Sequence, residues 1–151
     1  MMKHPQMSFL DAFQSYHQIP PSLPDQEKMA FHAPNGNYHY WVMPFDLKNV
    51  GSTYQQMVTQ MFKSHIGRNM KVYIDDMVIK SKQVKEHLAD LEETFSVLRK
   101  HKLRHNAAKC SLGVSLGKFL YYMITHRGIK INPVQIKAIN SLHPSRNPKE
   151  V

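Results

Sequence analysis

The stretch Met70-Lys71-Val72-Tyr73-Ile74-Asp75-Asp76-Met77-Val78-Ile79-Lys80 decides the fold. Two short apolar runs, Lys71 to Ile74 and Met77 to Ile79, flank a pair of adjacent carboxylates. Neighbouring residues on a straight strand point to opposite faces, so the two acids converge only where the chain turns. A tight hairpin with Asp75 and Asp76 at its tip satisfies that condition. An ordinary acidic turn is the plain alternative, because aspartate is common in turns. Two nearby carboxylates repel, which is tolerable when a divalent cation lies between them. Magnesium takes such hard oxygen ligands, completed by water and phosphate.

Upstream of the hairpin, Met7-Ser8-Phe9-Leu10 suits a buried strand, and Asp11 stands at its polar end. If that strand lies beside the hairpin, three carboxylates can meet, as two-metal phosphoryl transfer requires. Spacing leaves the meeting open. Pro20, Pro21 and Pro24 are expected to stop any regular element. The aromatic runs Met29–Ala33 and Tyr38–Met43 flank Pro34-Asn35-Gly36-Asn37, a second hairpin signal. Val50, Tyr54, Met57, Val58, Met61 and Phe62 then recur at helical spacing, with Asn49 or Ser52 as cap and Gly67 beyond the end.

Downstream, Leu88, Leu91, Phe95 and Leu98 form the apolar stripe of another helix, read as core packing. Phe119 to Ile124 suggests a strand closed by a turn at Arg127-Gly128, and Asn132-Pro133 opens a last helix through Ile136 and Ile139. Hairpins interleaved with helices describe an α+β domain: an antiparallel sheet with helices on one face. A doubly wound parallel sheet would need regular alternation of strand and helix, which is absent.

Composition narrows the function classes. The 151 residues suit one domain, or one subdomain with part of a neighbour. Lys and Arg total 20 against 11 Asp and Glu, and the pI is near 9.7, which favours a polyanionic partner, of which nucleic acid is the usual one. A solvated basic surface explains the charge equally well. Cys110 is the one cysteine, which excludes an intrachain disulfide or a multi-thiolate zinc site and leaves an inert buried thiol. No apolar run reaches the roughly 18 residues that span a bilayer, so no membrane is expected. Met1 to Gln6 carries no signal-peptide core, and an intracellular protein is the expectation. His101 and His105 lie four apart and could share a helix face, with no third metal ligand in evidence. Lys80, Lys82 and Lys85 suit either phosphate contact or a solvated face.

Four blocks carry a family resemblance. LDAFQSYHQI (Leu10–Ile19) resembles the first palm motif of reverse transcriptases from gypsy-type LTR retrotransposons. PDQEKMAFHAPNGNYHYWVMPFDLKNVGSTYQ (Pro24–Gln55) resembles their hairpin and second palm motif, and YIDDMVIKS (Tyr73–Ser81) their metal-binding hairpin. HNAAKCSLGVSLGKFLYYMITHRGIKINP (His105–Pro133) resembles the segment leading to the primer grip and thumb. The blocks follow the family's order from Ser8 to Val151. The HQIP and MPFDLKN segments look gypsy-like rather than like group II intron or non-LTR enzymes.

The resemblance implies a palm with partial fingers over residues 1–124 and the start of a thumb or connection over 125–151. It implies RNA-directed DNA synthesis: deoxynucleotidyl transfer from a dNTP to a primer 3′-hydroxyl, on an RNA or DNA template carrying a DNA primer. Asp11, Asp75 and Asp76 match the catalytic acids that hold two Mg2+ ions, with Asp11 and Asp75 the principal ligands. Tyr16 matches the residue beneath the deoxyribose, and Phe45 the motif lining the nucleotide pocket. Lys48 and Gln55 lie near that motif without assigned contacts. Cytoplasmic particles or the nucleus follow by analogy, and no oligomeric state follows.

Three departures from the pattern bear on activity. Asp46 stands where the family usually has glycine. A carboxylate about 5 Å from a triphosphate charge, at an effective dielectric near 20, is repelled by roughly 3 kcal/mol. That is about a hundredfold in binding. If the glycine serves a positive φ, roughly 1–2 kcal/mol of strain adds to it. Tyr121 likewise replaces a usual glycine near the primer grip. Finally, the resemblance places the upstream strands of the fingers, most of the thumb and the RNase H domain outside this sequence. The expectation is weak or no synthesis by the chain alone, with a decayed relic that still binds nucleic acid as the alternative.

Overall fold

The computed structural model describes residues 6–125 and 127–142. Its centre is a four-stranded antiparallel sheet in the order β4-β5-β1-β6, built from β1 (Gln6–Asp11), β4 (Met70–Tyr73), β5 (Asp76–Ser81) and β6 (Ser111–Val114). The hairpin β4–β5 lays β5 against β1 in continuous register from Gln6↔Ser81 to Asp11↔Asp76. β2 (Ala30–Ala33) and β3 (Gly36–His39) pair as a separate hairpin, and β7 (Leu116–Phe119), β8 (Tyr122–Thr125) and β9 (Gly128–Ile131) form a three-stranded meander.

Side-chain alternation gives the central sheet two different faces. Leu10, Met77 and Ile79 point to one side, where they meet Tyr54, Val58 and Phe62 of helix α2 (Val50–Met61) and its C-cap, and Leu91 and Leu98 of helix α3 (Val84–Lys100). Met7, Phe9 and Val78 point to the other, where Phe119 and Ile124 of the meander cover them with Val114. The α+β architecture with helices on one face is as the sequence implies.

Several local expectations are corrected. Of the expected α3 stripe, Leu91 and Leu98 are buried and Phe95 packs against the core, but Leu88 is exposed, and the neighbouring His87 is buried through its polar contacts, as is Thr94. Phe119–Ile124 is not one strand: it breaks at Leu120 and Tyr121, with φ of 50° and 68°, a left-handed pair that no Gly or Asn announces. The prolines do not silence their segment, since Pro24 occupies the tolerant first turn of a short helix α1 (Leu23–Lys28). The β2–β3 turn centres on Pro34-Asn35, with Gly36 at φ 141° just after it. α3 ends at Lys100, so His101 and His105 share no helix face, and His105 instead bridges Ala12. The last helix, α4 (Pro133–Asn140), is capped as expected by Asn132, whose side chain accepts the Val134 N–H. Cys110 is half-buried against the helix-side core. The 124/125 point lies within β8, which runs on to Thr125.

Candidate active site

Asp11 ends β1, Asp76 begins β5, and the register sets them directly opposite each other. Opposed residues of an antiparallel pair carry their Cβ atoms about 4.5–5.5 Å apart. Both acids point to the meander face, the side of Phe9 and Val78, and border a small cleft of about 160 Å³ that Lys109, Lys118 and Phe119 also line. The adjacency is costly. Burial first, and the charge of Asp11 next, push the Asp76 carboxyl above the usual carboxylate range. The Leu120 backbone N–H and the Lys109 ammonium oppose that push. Lys109 also stands 3.6 Å from Asp11 Oδ1.

Asp75 occupies the turn between the paired residues Tyr73 and Asp76. Its carbonyl accepts the Ala12 N–H at 3.0 Å, which fastens the hairpin tip to the chain leaving β1. Ile74, just before it, is held at φ 49°, an uncommon conformation for a β-branched residue. Positive φ at only the first central residue is the pattern of a type II′ turn, which normally takes glycine there. The Gln55 side chain stabilises it: Oε1 accepts the Ile74 N–H at 2.7 Å. Asp75 Oδ1 is buried and has no hydrogen-bond partner among the described residues. Such an atom costs about 1–3 kcal/mol unless a cation or water meets it.

Tyr16 and Phe45, far apart in sequence, come together with ring centroids 5.2 Å apart, and Tyr16 also packs edge-on against Tyr54 at 5.6 Å. Burial, then the nearby charge of Asp75, raises the Tyr16 phenol. The same two causes raise that of Tyr54 further. The structure therefore sets the Tyr16–Phe45 pair within electrostatic reach of the hairpin tip. The turn carrying Tyr16, Ser15–Gln18, is pinned by Gln18, whose amide donates to the carbonyls of Phe13 and Arg104 and accepts the Arg104 N–H.

Other expected features separate. Lys80 and Lys82 lie at the far end of β5 from Asp76, with Arg68 beside a cleft that also holds Glu86 and Asp90. Asp46 is exposed and lies outside the positive-φ region, so the strain expected there is absent and only its charge remains. Tyr121 is the reverse case: at φ 68° it occupies a conformation that favours glycine. Sequence reasoning passed over Lys109 and Gln18 and left Gln55 without a contact. Their roles arise from pairings across 98, 86 and 19 residues, for which periodicity holds no signal.

The sequence model of the family described as reverse transcriptase (RNA-dependent DNA polymerase) matches residues 2–142. The chain belongs to the reverse transcriptase family. Its curated relatives are Pol polyproteins of LTR retrotransposons. That of transposon opus from Drosophila melanogaster is 34% identical over 142 residues, and that of transposon gypsy from the same fly is 28% identical over 130. The Tf2-3 polyprotein of Schizosaccharomyces pombe is 28% identical over 142 residues. These alignments cover 94%, 86% and 94% of this reverse transcriptase segment but only 14%, 13% and 11% of the polyproteins. Among solved structures, the foamy viral protease-reverse transcriptase in complex with RNA/DNA hybrid superposes with a TM-score of 0.87 at 23% identity. That superposition covers 98% of this chain and 20% of the viral one. The same viral protein in complex with dsDNA gives 0.86. These likenesses establish the palm fold.

Among the described residues, no three His, Cys, Asp or Glu side chains stand together as a metal-holding group. The donor chemistry nevertheless suits a hard cation. Two opposed carboxylates at Asp11 and Asp76, and a buried carboxylate oxygen at Asp75 without a partner, are all oxygen donors.

Proposed function

We propose that this reverse transcriptase segment is the acid-bearing palm of an RNA-directed DNA polymerase, extending a DNA primer on an RNA or DNA template. The observation that carries the proposal is the Asp11↔Asp76 pairing with Asp75 at the adjoining turn. Two carboxylates opposed at one sheet end despite their repulsion, with a third acid in the adjoining turn, suit a site that works with cations. Asp11, Asp75 and Asp76 would hold two Mg2+ ions. When bound, such ions polarise the transferring phosphoryl group and clamp the attacking and leaving oxygens.

The chain's own residues supply position. The β1–β5 ladder fixes Asp11 against Asp76, and the Gln55 bond to Ile74 fixes the turn that presents Asp75. The Tyr16–Phe45 pair offers an aromatic floor beside those acids, suited to a deoxyribose and closed to a 2′-hydroxyl. In this proposal residues 1–124 act as palm with partial fingers, and residues 125–151 begin the thumb or connection. That division is functional rather than a break in the sheet, because β8 carries the chain across it.

A second reading, a nucleic-acid-binding relic without catalysis, is favoured by two observations. Asp46 sets an exposed carboxylate in the motif expected to meet the triphosphate, and Lys109 already engages Asp11. Primer extension with Mg2+ on an RNA template separates the two. The parent, Asp46→Gly and Asp75→Asn are each assayed fused to the fingers and thumb of a gypsy-type relative. Extension by the parent that disappears in Asp75→Asn supports the polymerase. Extension only after Asp46→Gly marks a lesioned relative of an active enzyme. Silence in all three, with salt-sensitive duplex binding retained, favours the relic.

A further inference from the structure

A polar chain crosses the otherwise apolar interface between the sheet and α3. His87 Nε2 lies 2.8 Å from Ser8 Oγ on β1, and His87 Nδ1 lies 2.8 Å from Ser81 Oγ on β5. Ser81 Oγ donates to Asp90 Oδ2, and Asp90 Oδ1 accepts from Asn69 Nδ2 at 2.7 Å. At the other end, Ser8 Oγ accepts the Gly113 N–H of β6 at 3.0 Å. Ser8, Ser81 and His87 are each at most 3% exposed. A serine and histidine so deeply enclosed admit no substrate, so the resemblance to a hydrolytic pair is empty.

The donor sequence assigns the ring. An ionised carboxylate only accepts, so the Ser81 hydroxyl proton goes to Asp90, and Ser81 Oγ faces Nδ1 as an acceptor. Nδ1 therefore carries the hydrogen. Nε2 is bare and takes the Ser8 proton, which leaves Ser8 Oγ to accept from Gly113. Burial, which holds the His87 imidazole below its ordinary range against the opposing charge of Asp90, agrees with a neutral ring.

The chain does something that the backbone ladder cannot. A one-residue slip of β1 against β5 would turn Leu10 out of the helix-side core, so apolar patterning forbids it. A two-residue slip is different. It keeps every side chain on its own face, yet it would set Asp11 opposite Val78 or Ile74 instead of Asp76. Ser8 pairs with Ile79 and Ser81 with Gln6, so the two serines stand diagonally on the helix face. The imidazole spans this diagonal, about 7–8 Å across, and either slip changes it: the one toward Ile74 parts the serines by four positions, and the one toward Val78 sets them face to face with Cβ atoms about 4.5–5.5 Å apart. Buried polar groups are known to fix register in this way at some cost in stability.

We infer that His87 is a positioning residue for the carboxylate site: in its Nδ1–H tautomer it pins β1 to β5 and so keeps Asp11 opposite Asp76. The inference rests on the carboxylate-site reading proposed above. The test uses the whole chain and Mn2+ as probe. Ring 15N shifts of the parent at neutral pH are expected to show a protonated Nδ1 and a bare Nε2. His87→Leu, which fills the space without bridging, is expected to weaken Mn2+ binding by about 10–100-fold, as for outer-shell partners of metal ligands. His87→Gln, which can both donate and accept, is expected to recover most of that loss. Should His87→Leu fail to fold, Ser8→Ala is expected to weaken Mn2+ binding in the same direction.

A ring protonated at Nε2, or a folded His87→Leu variant that binds Mn2+ as the parent does, overturns the positioning role. No Mn2+ binding by the parent, with the Nδ1–H ring intact, overturns the carboxylate-site reading itself and takes the positioning role with it.

Discussion

The two faces of the central sheet are built for different ends. The helix face is closed and specified: Tyr54, Val58, Phe62 and Ile79 are fully buried, and a directional chain of hydrogen bonds crosses it at His87. The meander face is thin. Its buried residues are Met7, Phe9 and Val78, and the same face carries two opposed acids at its end. One sheet thus puts its stability on one side and its strained, charged groups on the other. A rigid core behind a site lets the site keep unfavourable contacts that would otherwise relax.

The largest effect that tests this contrast is in the helix-side core. Phe62→Ala is expected to cost about 3–5 kcal/mol, because the ring is fully enclosed between α2 and the sheet. Val78→Ala on the meander face removes less and is expected to cost about 1–2 kcal/mol. Urea unfolding of both variants checks the comparison, and equal costs would break it.

Gly117 sharpens the same contrast from the meander side. A Cβ there would come within 2.1 Å of the Phe9 ring, so β7 approaches β1 only because this residue has none. Gly117→Ala is expected to destabilise by about 1–3 kcal/mol through overpacking. Unlike Phe62→Ala, it should also displace the Leu120 turn that reaches Asp76. Amide exchange at Leu120 faster than in the parent would register that displacement, and unchanged exchange would show the turn to be anchored elsewhere.

The helix face was the legible one. Spacing from Val50 to Phe62 predicted α2, and Asp75-Asp76 between apolar runs predicted the hairpin, because each signal is local and periodic. The third acid, Asp11, followed from its place at a strand end, and the family's motif order supplied what geometry left open. The meander face was largely illegible. Its turn at Leu120-Tyr121 lacks every residue that normally marks positive φ, so an aromatic run read as one strand. His87, Gln55 and Lys109 were hidden for another reason: each acts through a partner distant in sequence, and a lone polar residue on a helix announces no partner. Leu88 was misassigned on the same account, since His87, held by its polar contacts, is the buried residue at that end of α3 while Leu91, Phe95 and Leu98 pack as expected.

The two positions where the family usually has glycine give an intermediate effect. Tyr121 holds φ 68° while Asp46 is outside that region. Tyr121→Gly is therefore expected to stabilise by up to about 1 kcal/mol, the relieved strain exceeding the added chain entropy of glycine. Asp46→Gly should gain nothing in stability, whatever it does to nucleotide binding. Thermal unfolding of the two variants side by side decides it, and a gain at Asp46 without one at Tyr121 would invert the assignment of strain.

The smallest effect concerns the opposed acids. Asp76 has its carboxyl raised by burial and by Asp11, so the folded state holds that proton more tightly than the unfolded chain does. For a raised group, the associated stability is present below the unfolded pKa and is lost as pH rises through the folded value. At neutral pH the ionised pair therefore works against the fold. Asp76→Asn, which keeps the shape and removes the charge, is expected to raise the melting temperature by a few degrees at neutral pH. The gain should shrink toward zero below about pH 4, where an ordinary aspartate is itself protonated. Saturating Mn2+ should reverse the order at neutral pH, stabilising the parent and not the variant, because a ligand stabilises only the state that binds it. A variant that melts below the parent at neutral pH without metal would mean that Lys109 and the Leu120 N–H already offset the repulsion, and the charged end of the sheet would then be as settled as its core.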